Sequence, residues 1–258
     1  MTVESCKRMV GKVVVLTGGG GGIARGVARA FASEGAKMVL TDIFQGGMDV
    51  TKAELEEEFG TEVLTLIVDG AEEEQVEKAL AKTVEHFGQI DVLINSAQTS
   101  ASGLTLIQHS KEDFDKAIYS GLYATFFFMK HAFPYLRETE GSVINFASGA
   151  GLSGNPGQSS YGAAKEAIRG LSRVAANEWG VYNINVNVVA PLVMTDKLAA
   201  WGEENPEMFE KNIKSIPLGR YGDAQQDIGR VCVFLGSDDA RYLTGDTIMI
   251  QGGLGMRP

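Results

Sequence analysis

Five consecutive glycines, Gly18 to Gly22, stand between an apolar run and an amphipathic one, and this junction restricts the fold more than any other stretch. The apolar run, Val13-Val14-Val15-Leu16, is short and largely β-branched, as expected of a strand buried on both faces of a parallel sheet. From Ala24 to Glu34 the apolar residues recur at helical spacing. Strand, glycine turn and helix in this order are the opening half of a βαβ unit. Glycine lets the backbone approach a pyrophosphate, and a helix start offers unpaired N–H groups at its positive end. A flexible loop would also use glycines. Their place between strand and helix favours a dinucleotide site, with Gly18, Gly22 and Ile23 at its base.

The alternation continues to the end of the chain. Strands are expected at Met38–Thr41, Val63–Val68, Ile90–Ile94, Ser142–Phe146, Asn185–Val189 and Thr247–Ile250. Helices are expected at Ala53–Phe59, Glu72–Phe87, Lys111–Arg137 with Pro134 as a candidate break, Tyr161–Trp179 and Asp227–Gly236. Phe126 to Met129 is hydrophobic all round and should be buried, in the core or in a subunit interface. No linker or shift in composition divides the chain. The pattern predicts one α/β domain over residues 1–258, a doubly wound, seven-stranded parallel sheet with right-handed crossovers.

Charge and composition exclude several partners. The formal net charge is -10, which speaks against nucleic acid and against an anionic membrane surface. No apolar run approaches the ~18 residues of a membrane span. Residues 1–10 include Glu4 and lack an apolar core, so no signal peptide is expected and the protein reads as cytoplasmic. Cys6 and Cys232 fit no metal spacing, and Cys232 falls in an apolar helical pattern. His86, His109 and His131 are scattered and show no acidic pairing in the sequence. With no metal cluster, redox chemistry would need hydride transfer to an organic cofactor.

Four stretches carry the candidate chemistry. Asp42 ends the second strand, about twenty positions beyond the glycines, where a carboxylate can bind both ribose hydroxyls and repel a 2′-phosphate. NAD is therefore favoured over NADP, with Arg25 as the nearby cation that opposes this reading and turn capping as the plainer role for Asp42. Asp69 and Gly70 end the third strand, at the edge where adenine would lie. Asn95-Ser96-Ala97-Gln98 ends the fourth. Ser148 follows the fifth strand, twelve residues separate it from Tyr161, and Lys165 lies four positions further on. Residues four apart share a helix face. A cation beside a phenol favours the phenolate, so Lys165 is expected to lower the Tyr161 pKa. Many surface helices carry a Tyr and a Lys at this spacing, and only the rest of the chain gives the match weight. Residues 192–216 form an insertion in which Leu192, Met194, Leu198, Trp201, Met208, Phe209 and Ile213 alternate with charged residues. A mobile lid with an apolar inner face is expected, with a plain surface hairpin as the alternative.

Taken in combination, Thr17-Gly18-x-x-x-Gly22-Ile23-Ala24, Asn95-Ser96-Ala97-Gln98 and Ser148 with Tyr161-x-x-x-Lys165 resemble the short-chain dehydrogenase/reductase family, over about Lys12 to Gly253. The resemblance implies a Rossmann-type sheet, a nicotinamide cofactor and usually a homotetramer. It implies Ser148, Tyr161 and Lys165 as catalytic residues, with Tyr161 and Lys165 also touching the cofactor. Further cofactor contacts are implied at Gly18, Gly22, Ile23, Asp42, Ile43, Asp69, Gly70, Asn95, Ser96, Ala97, Pro191, Val193 and Thr195. Ala24 stands where a third glycine is usual. Gly121 stands where the family has a catalytic asparagine, whose main-chain carbonyl is the group retained. Gln98, Ser148, Leu192, Met194 and Trp201 become candidate substrate contacts.

Within that family, Tyr119 to Phe126, Ser142 to Gly151 and Ala190-Pro191-Leu192 are similar to the 12α-hydroxysteroid dehydrogenases of gut anaerobes. That similarity implies a small apolar substrate, a steroid or bile acid. Clostridial members of the group use NADP, from which Asp42 departs. Other readings are a 20β dehydrogenase of corticosteroids, a short-chain ketone, 3-oxoacyl or sugar reductase, and an NAD-sensing binder without catalysis.

Overall fold

The computed structural model describes residues 7–255, so Cys6 lies outside the described residues. Seven strands are present: β1 Val13–Thr17, β2 Lys37–Asp42, β3 Val63–Ile67, β4 Val92–Asn95, β5 Ser142–Phe146, β6 Asn185–Pro191 and β7 Thr247–Ile250. They form one parallel sheet in the order β3-β2-β1-β4-β5-β6-β7. The main helices are α1 Gly22–Ser33, α2 Gln45–Phe59, α3 Glu73–Phe87, α4 Lys111–Ala117, α5 Ala124–Thr139, α6 Gly149–Ser153, α7 Ser159–Trp179, α8 Asp196–Glu204, α9 Pro206–Ser215 and α10 Arg230–Gly236. The expected Rossmann-type, doubly wound architecture is present.

Side chains alternate across each strand, and two cores follow. Val14, Leu16, Met38, Leu40, Ile94 and Ile144 face α1, α2 and α10. Val13, Val15, Val39, Leu93 and Val143 face α3, α5 and α7. Because both faces are covered, the strands read as apolar runs rather than as alternating ones. The winding direction reverses between β1 and β4, and the carboxyl ends of these strands open the crevice in which such sheets bind ligands.

Three elements differ from expectation. α2 begins at Gln45, not Ala53, despite Gly46 and Gly47. A Cβ on Gly47 would lie 2.3 Å from the Gly20 carbonyl, so glycine there lets the helix start pack on the cofactor-type turn. The Lys111–Arg137 helix does not break at Pro134, which lies inside α5. Pro134 and Lys130 both lie on the exposed face of the helix, where water can serve the carbonyl that proline cannot bond. The helix instead widens into a π-helical turn at Ile118–Tyr123. Before α10 the chain makes a second π turn, Ala224–Gly229. There the close approach to α1 uses Gly26, whose Cβ would lie 2.4 Å from that of Ala224. Ala24 is simply buried in the core, so the missing third glycine is met two residues later.

Candidate active site

The glycine turn is held from below and open above. The N–H groups of Gly18 and Gly19 donate to the Thr41 carbonyl at 2.8 and 3.1 Å. Gly18 has φ 75° and Gly22 φ 56°, a region other residues enter only with strain. Above Gly21 and Gly22 nothing lies within 4 Å of an added Cβ. Gly21 is the N-cap of α1 and no side chain caps it, which leaves the first N–H groups of the helix for an anion. Thr17 joins two strand ends: its Oγ1 accepts from the Ser96 and Ala97 N–H groups, each at 3.0 Å. The motif gave no hint of that role.

Asp42 faces this turn. One carboxylate oxygen accepts the Gly20 N–H at 3.0 Å and the other accepts the Phe44 N–H at 3.2 Å. Asp42 therefore does cap the turn, yet a carboxylate has about four acceptor positions, and Asp42 also lines the adjoining cavity. The opposing cation is engaged elsewhere. Arg25 Nε donates to Glu54 at 2.8 Å, and a second guanidinium nitrogen pairs with the other Glu54 oxygen. That pairing holds Glu54 below the usual carboxylate range and raises Arg25.

A cavity of about 640 Å³ opens at the reversal point of the sheet. It brings together Gly18, Ile23, Asp42, Ile43, Asp69, Gly70, Ser96, Ala97 and Gln98 of the expected contacts. It also exposes Tyr119, together with Lys116 and Ser120, which sequence reasoning did not place at a site. Ser120 lies in the π turn and Lys116 just before it, a turn that no local pattern announces. The cradle fits a dinucleotide, with bare N–H groups for phosphates and a carboxylate at the ribose end. Asn95 does not reach this cavity. It is buried, and its amide donates to Asn145 Oδ1 at 2.8 Å, while Asn145 donates on to Ser172 at 2.8 Å.

Ser148, Tyr161 and Lys165 come together beside the end of β5. Ser148 is the N-cap of α6 and accepts the Ala150 N–H at 3.2 Å. Its hydroxyl is close enough to the Tyr161 phenol to favour the phenolate. Lys165 is one turn further along α7, buried, with Nζ donating to the Phe146 carbonyl at 2.7 Å and lying 5.6 Å from the Tyr161 ring centroid. The expected effect of Lys165 on Tyr161 is not the one observed. Burial raises the phenol pKa, and only the Ser148 hydroxyl works against it. The lysine itself is pushed down to about 7 by burial. Desolvation of both groups outweighs their mutual attraction.

Pro191 to Thr195 run beside β7 and the second π turn. Leu192 N–H donates to Ile250, Met194 N–H donates to Gly222, and Thr195 caps α8. Val193 is buried and Met194 exposed. The insertion is a hairpin of α8 and α9, and within these two helices only Gly202 is buried. Leu198, Trp201, Phe209 and Ile213 are half-buried and Met208 is exposed. Gly121 is buried within the first π turn, directly against Gln98.

Two of the three histidines do have acidic partners, contrary to expectation. His86 lies 3.1 Å from Glu62 and His131 lies 2.9 Å from Glu73, pairs made by folding rather than by local spacing. His109 instead meets Ser159 and Ser160. Among the described residues no group of His, Cys, Asp and Glu could hold a metal ion, and no helix is long and apolar enough to cross a membrane. Cys232 is a free, buried thiol whose pKa burial raises to about 12.

Residues 18–255 match a family model described as enoyl-(acyl carrier protein) reductase. The chain is 55% identical over 254 residues to a 12alpha-hydroxysteroid dehydrogenase of Clostridium sp. (strain ATCC 29733 / VPI C48-50), covering 96% of this chain and 98% of that protein. Among solved structures it resembles levodione reductase, with TM-score 0.90 and 35% identity over 95% of this chain and 98% of that one. It also resembles NAD+-bound xylitol dehydrogenase, with TM-score 0.89 and 29% identity over 96% and 100%.

Proposed function

Because the chain belongs to the short-chain dehydrogenase/reductase family, whose cofactor is a nicotinamide dinucleotide, we propose that it interconverts a steroid hydroxyl and ketone, the 12α position of a bile acid, with NAD(H). The observation that carries this reading is the 55% identity, over nearly the whole length, with a 12alpha-hydroxysteroid dehydrogenase. The cofactor supplies or accepts the hydride. Tyr161 gives a proton to the substrate oxygen in reduction and takes it back in oxidation. With its pKa raised, the phenol is a proton donor throughout the neutral range. Ser148, beside that phenol, positions the same oxygen and stabilises charge developing on it. Lys165 contacts the cofactor ribose, and the Gly121 carbonyl serves the lysine. Val193 and Thr195 contact the nicotinamide end. The half-buried apolar residues of α8 and α9, with Trp201 and Met194, cover a flat apolar substrate.

NAD is supported by Asp42 at the ribose end and by the Arg25–Glu54 pair, which occupies the cation that a 2′-phosphate would need. A homotetramer is supported by an exposed aromatic row. Tyr119 stacks on Tyr123 at 5.0 Å, and Tyr119, Tyr123 and Phe126 are each more than one-third exposed. A monomer at micromolar concentration in sedimentation would count against that assembly.

The test is NAD and NADP reduction measured across bile acids that differ only in which hydroxyl is present. NADH should form with substrates that carry a 12α hydroxyl and not with those that lack it. Tyr161→Phe should abolish turnover and leave NADH binding intact. Equal rates without the 12α hydroxyl, or turnover confined to sugars, keto acids or acyl thioesters, would refute the assignment.

A further inference from the structure

Gln98 and Gly121 share one space. A Cβ on Gly121 would lie 2.7, 2.9 and 3.0 Å from the Cδ, Nε2 and Oε1 of Gln98, so the whole carboxamide rests on the glycine. Real Cβ atoms do not approach so closely, so any larger residue at 121 would push the carboxamide of Gln98 out of its present place. The amide is also tied to the π turn. Its Nε2 donates to the Ala117 carbonyl at 3.4 Å, and Oε1 is buried without a protein partner. The neighbouring residues make a second tie. Ser120 Oγ accepts the Thr99 N–H at 3.1 Å and lies 2.6 Å from the Lys116 carbonyl. Residues 98 and 99, just past β4, are thus fastened to a helix turn widened by one residue. A π bulge of this kind interrupts the regular ladder and is frequently found at functional sites. The turn packs directly against α7, which carries Tyr161 and Lys165.

We propose that Gln98 is a positioning residue for the reaction, its carboxamide filling the space left by Gly121 and bracing the π turn against the catalytic helix. The brace fixes the main chain of Gly121 with respect to Lys165. The same carboxamide can be supplied from either side of the contact, by glutamine at 98 or by asparagine at 121, and with both present the Gln98 amide must leave its place. The kinetic part of this proposal rests on Tyr161 and Lys165 being the reacting groups. The shared space does not.

The test is a cycle of Gln98→Ala, Gly121→Asn and the double variant. Each is measured for kcat, KM, the pH profile of kcat, NADH binding by fluorescence, and thermal unfolding. Gln98→Ala should lower kcat about tenfold and move the pH profile, with KM and NADH affinity held within about twofold. Gly121→Asn should lose at least as much, because its side chain overlaps the amide of Gln98. The double variant should recover to within about threefold of the wild-type kcat, far above the product of the single losses. An unchanged kcat and pH profile in Gln98→Ala would overturn the positioning role, and so would a double variant that loses the product of both. If Gly121→Asn does not fold, the folding of the double variant alone decides the shared space. If the wild-type enzyme turns over no steroid, the reaction assignment fails. The cycle in thermal unfolding and NADH binding then stands by itself: non-additivity upholds the pairing, and simple additivity overturns it.

Discussion

Replacing Lys165 by methionine should change the stability of the protein in a way that depends steeply on pH. Lys165 is 4% exposed, and burial lowers its pKa from 10.5 to about 7. Between those values the unfolded chain binds more protons than the folded one, so stability rises with pH across that window. Below about pH 7 the full cost of burying the ammonium is present. Each pKa unit is worth about 1.4 kcal/mol, so the cost is about 5 kcal/mol at pH 6, about 3 at pH 8 and about 1 at pH 10. Methionine has a similar length, is apolar and does not titrate. It also abandons the Phe146 carbonyl that Lys165 now serves at 2.7 Å, a loss of about 1–3 kcal/mol that is the same at every pH. Lys165→Met should therefore stabilise the protein by about 2–4 kcal/mol at pH 6 and give up that gain, or lose stability, by pH 10. Urea unfolding of both proteins at one concentration measures the difference, and the other titrating groups cancel in it. The diagnostic is the fall of about 4 kcal/mol between pH 6 and pH 10. A difference constant to within about 1 kcal/mol over that range would mean that the buried lysine keeps its charge, and the reasoning from desolvation would fail.

Asp42 offers a test of cofactor choice. Like charges about 4 Å apart repel by a few kcal/mol at a partly screened site, so Asp42→Ser should reduce an NAD preference of about a hundredfold to near parity in kcat/KM. A wild-type enzyme that already favours NADP would show that the Arg25–Glu54 pair does not keep the arginine occupied. At the opposite edge of the sheet, buried Asp91 accepts the Val13 N–H at 2.8 Å and the Gln89 amide at 2.6 Å, and pairs with Lys12 at 3.2 Å. Asp91→Ala strands those donors and should cost about 3 kcal/mol in urea unfolding, while a loss below about 1 kcal/mol would show that water replaces the carboxylate.

Elements whose physics is local were legible in the sequence. Val13 to Leu16 could hardly be anything but a strand covered on both sides, and five glycines before an amphipathic run mark a turn into a helix. Asp42, Ile43, Asp69, Gly70, Ser96, Ala97 and Gln98 line one cavity with Gly18 and Ile23 because strand ends in a parallel sheet are placed by the sheet itself, whereas Asn95 turns inward to Asn145. What the sequence hid depends on contacts between distant residues. The start of α2 is set by the approach of Gly47 to Gly20, not by helix propensity, which would place it later. Pro134 looked like the natural break in the long helix. Whether proline breaks a helix depends on where the freed carbonyl points, and here the helix yields at Gly121 instead. His86 and His131 find glutamates 24 and 58 positions away, beyond any local pattern. The contact between Gln98 and Gly121 was invisible for the same reason. Each residue alone looked like a departure from a motif, and only their overlap makes them a pair.

The pair of Tyr161 and Lys165 shows why spacing alone misjudged the electrostatics. Four residues on one helix face bring a cation toward a phenol, and in water that arrangement lowers the phenol pKa. In the folded protein both groups have lost their water. The phenol is pushed up, the ammonium is pushed down to about 7, and each therefore favours its uncharged form. In free solution the two titrate close together, tyrosine slightly first. Here the order is reversed and the gap is wide. The group that changes charge near neutrality is Lys165, and Tyr161 keeps its proton well above that range. For the proposed reaction, a protonated phenol is ready for reduction of a ketone. Oxidation must first find a place for the proton of the alcohol, and Lys165, one turn along the same helix, changes its protonation near pH 7.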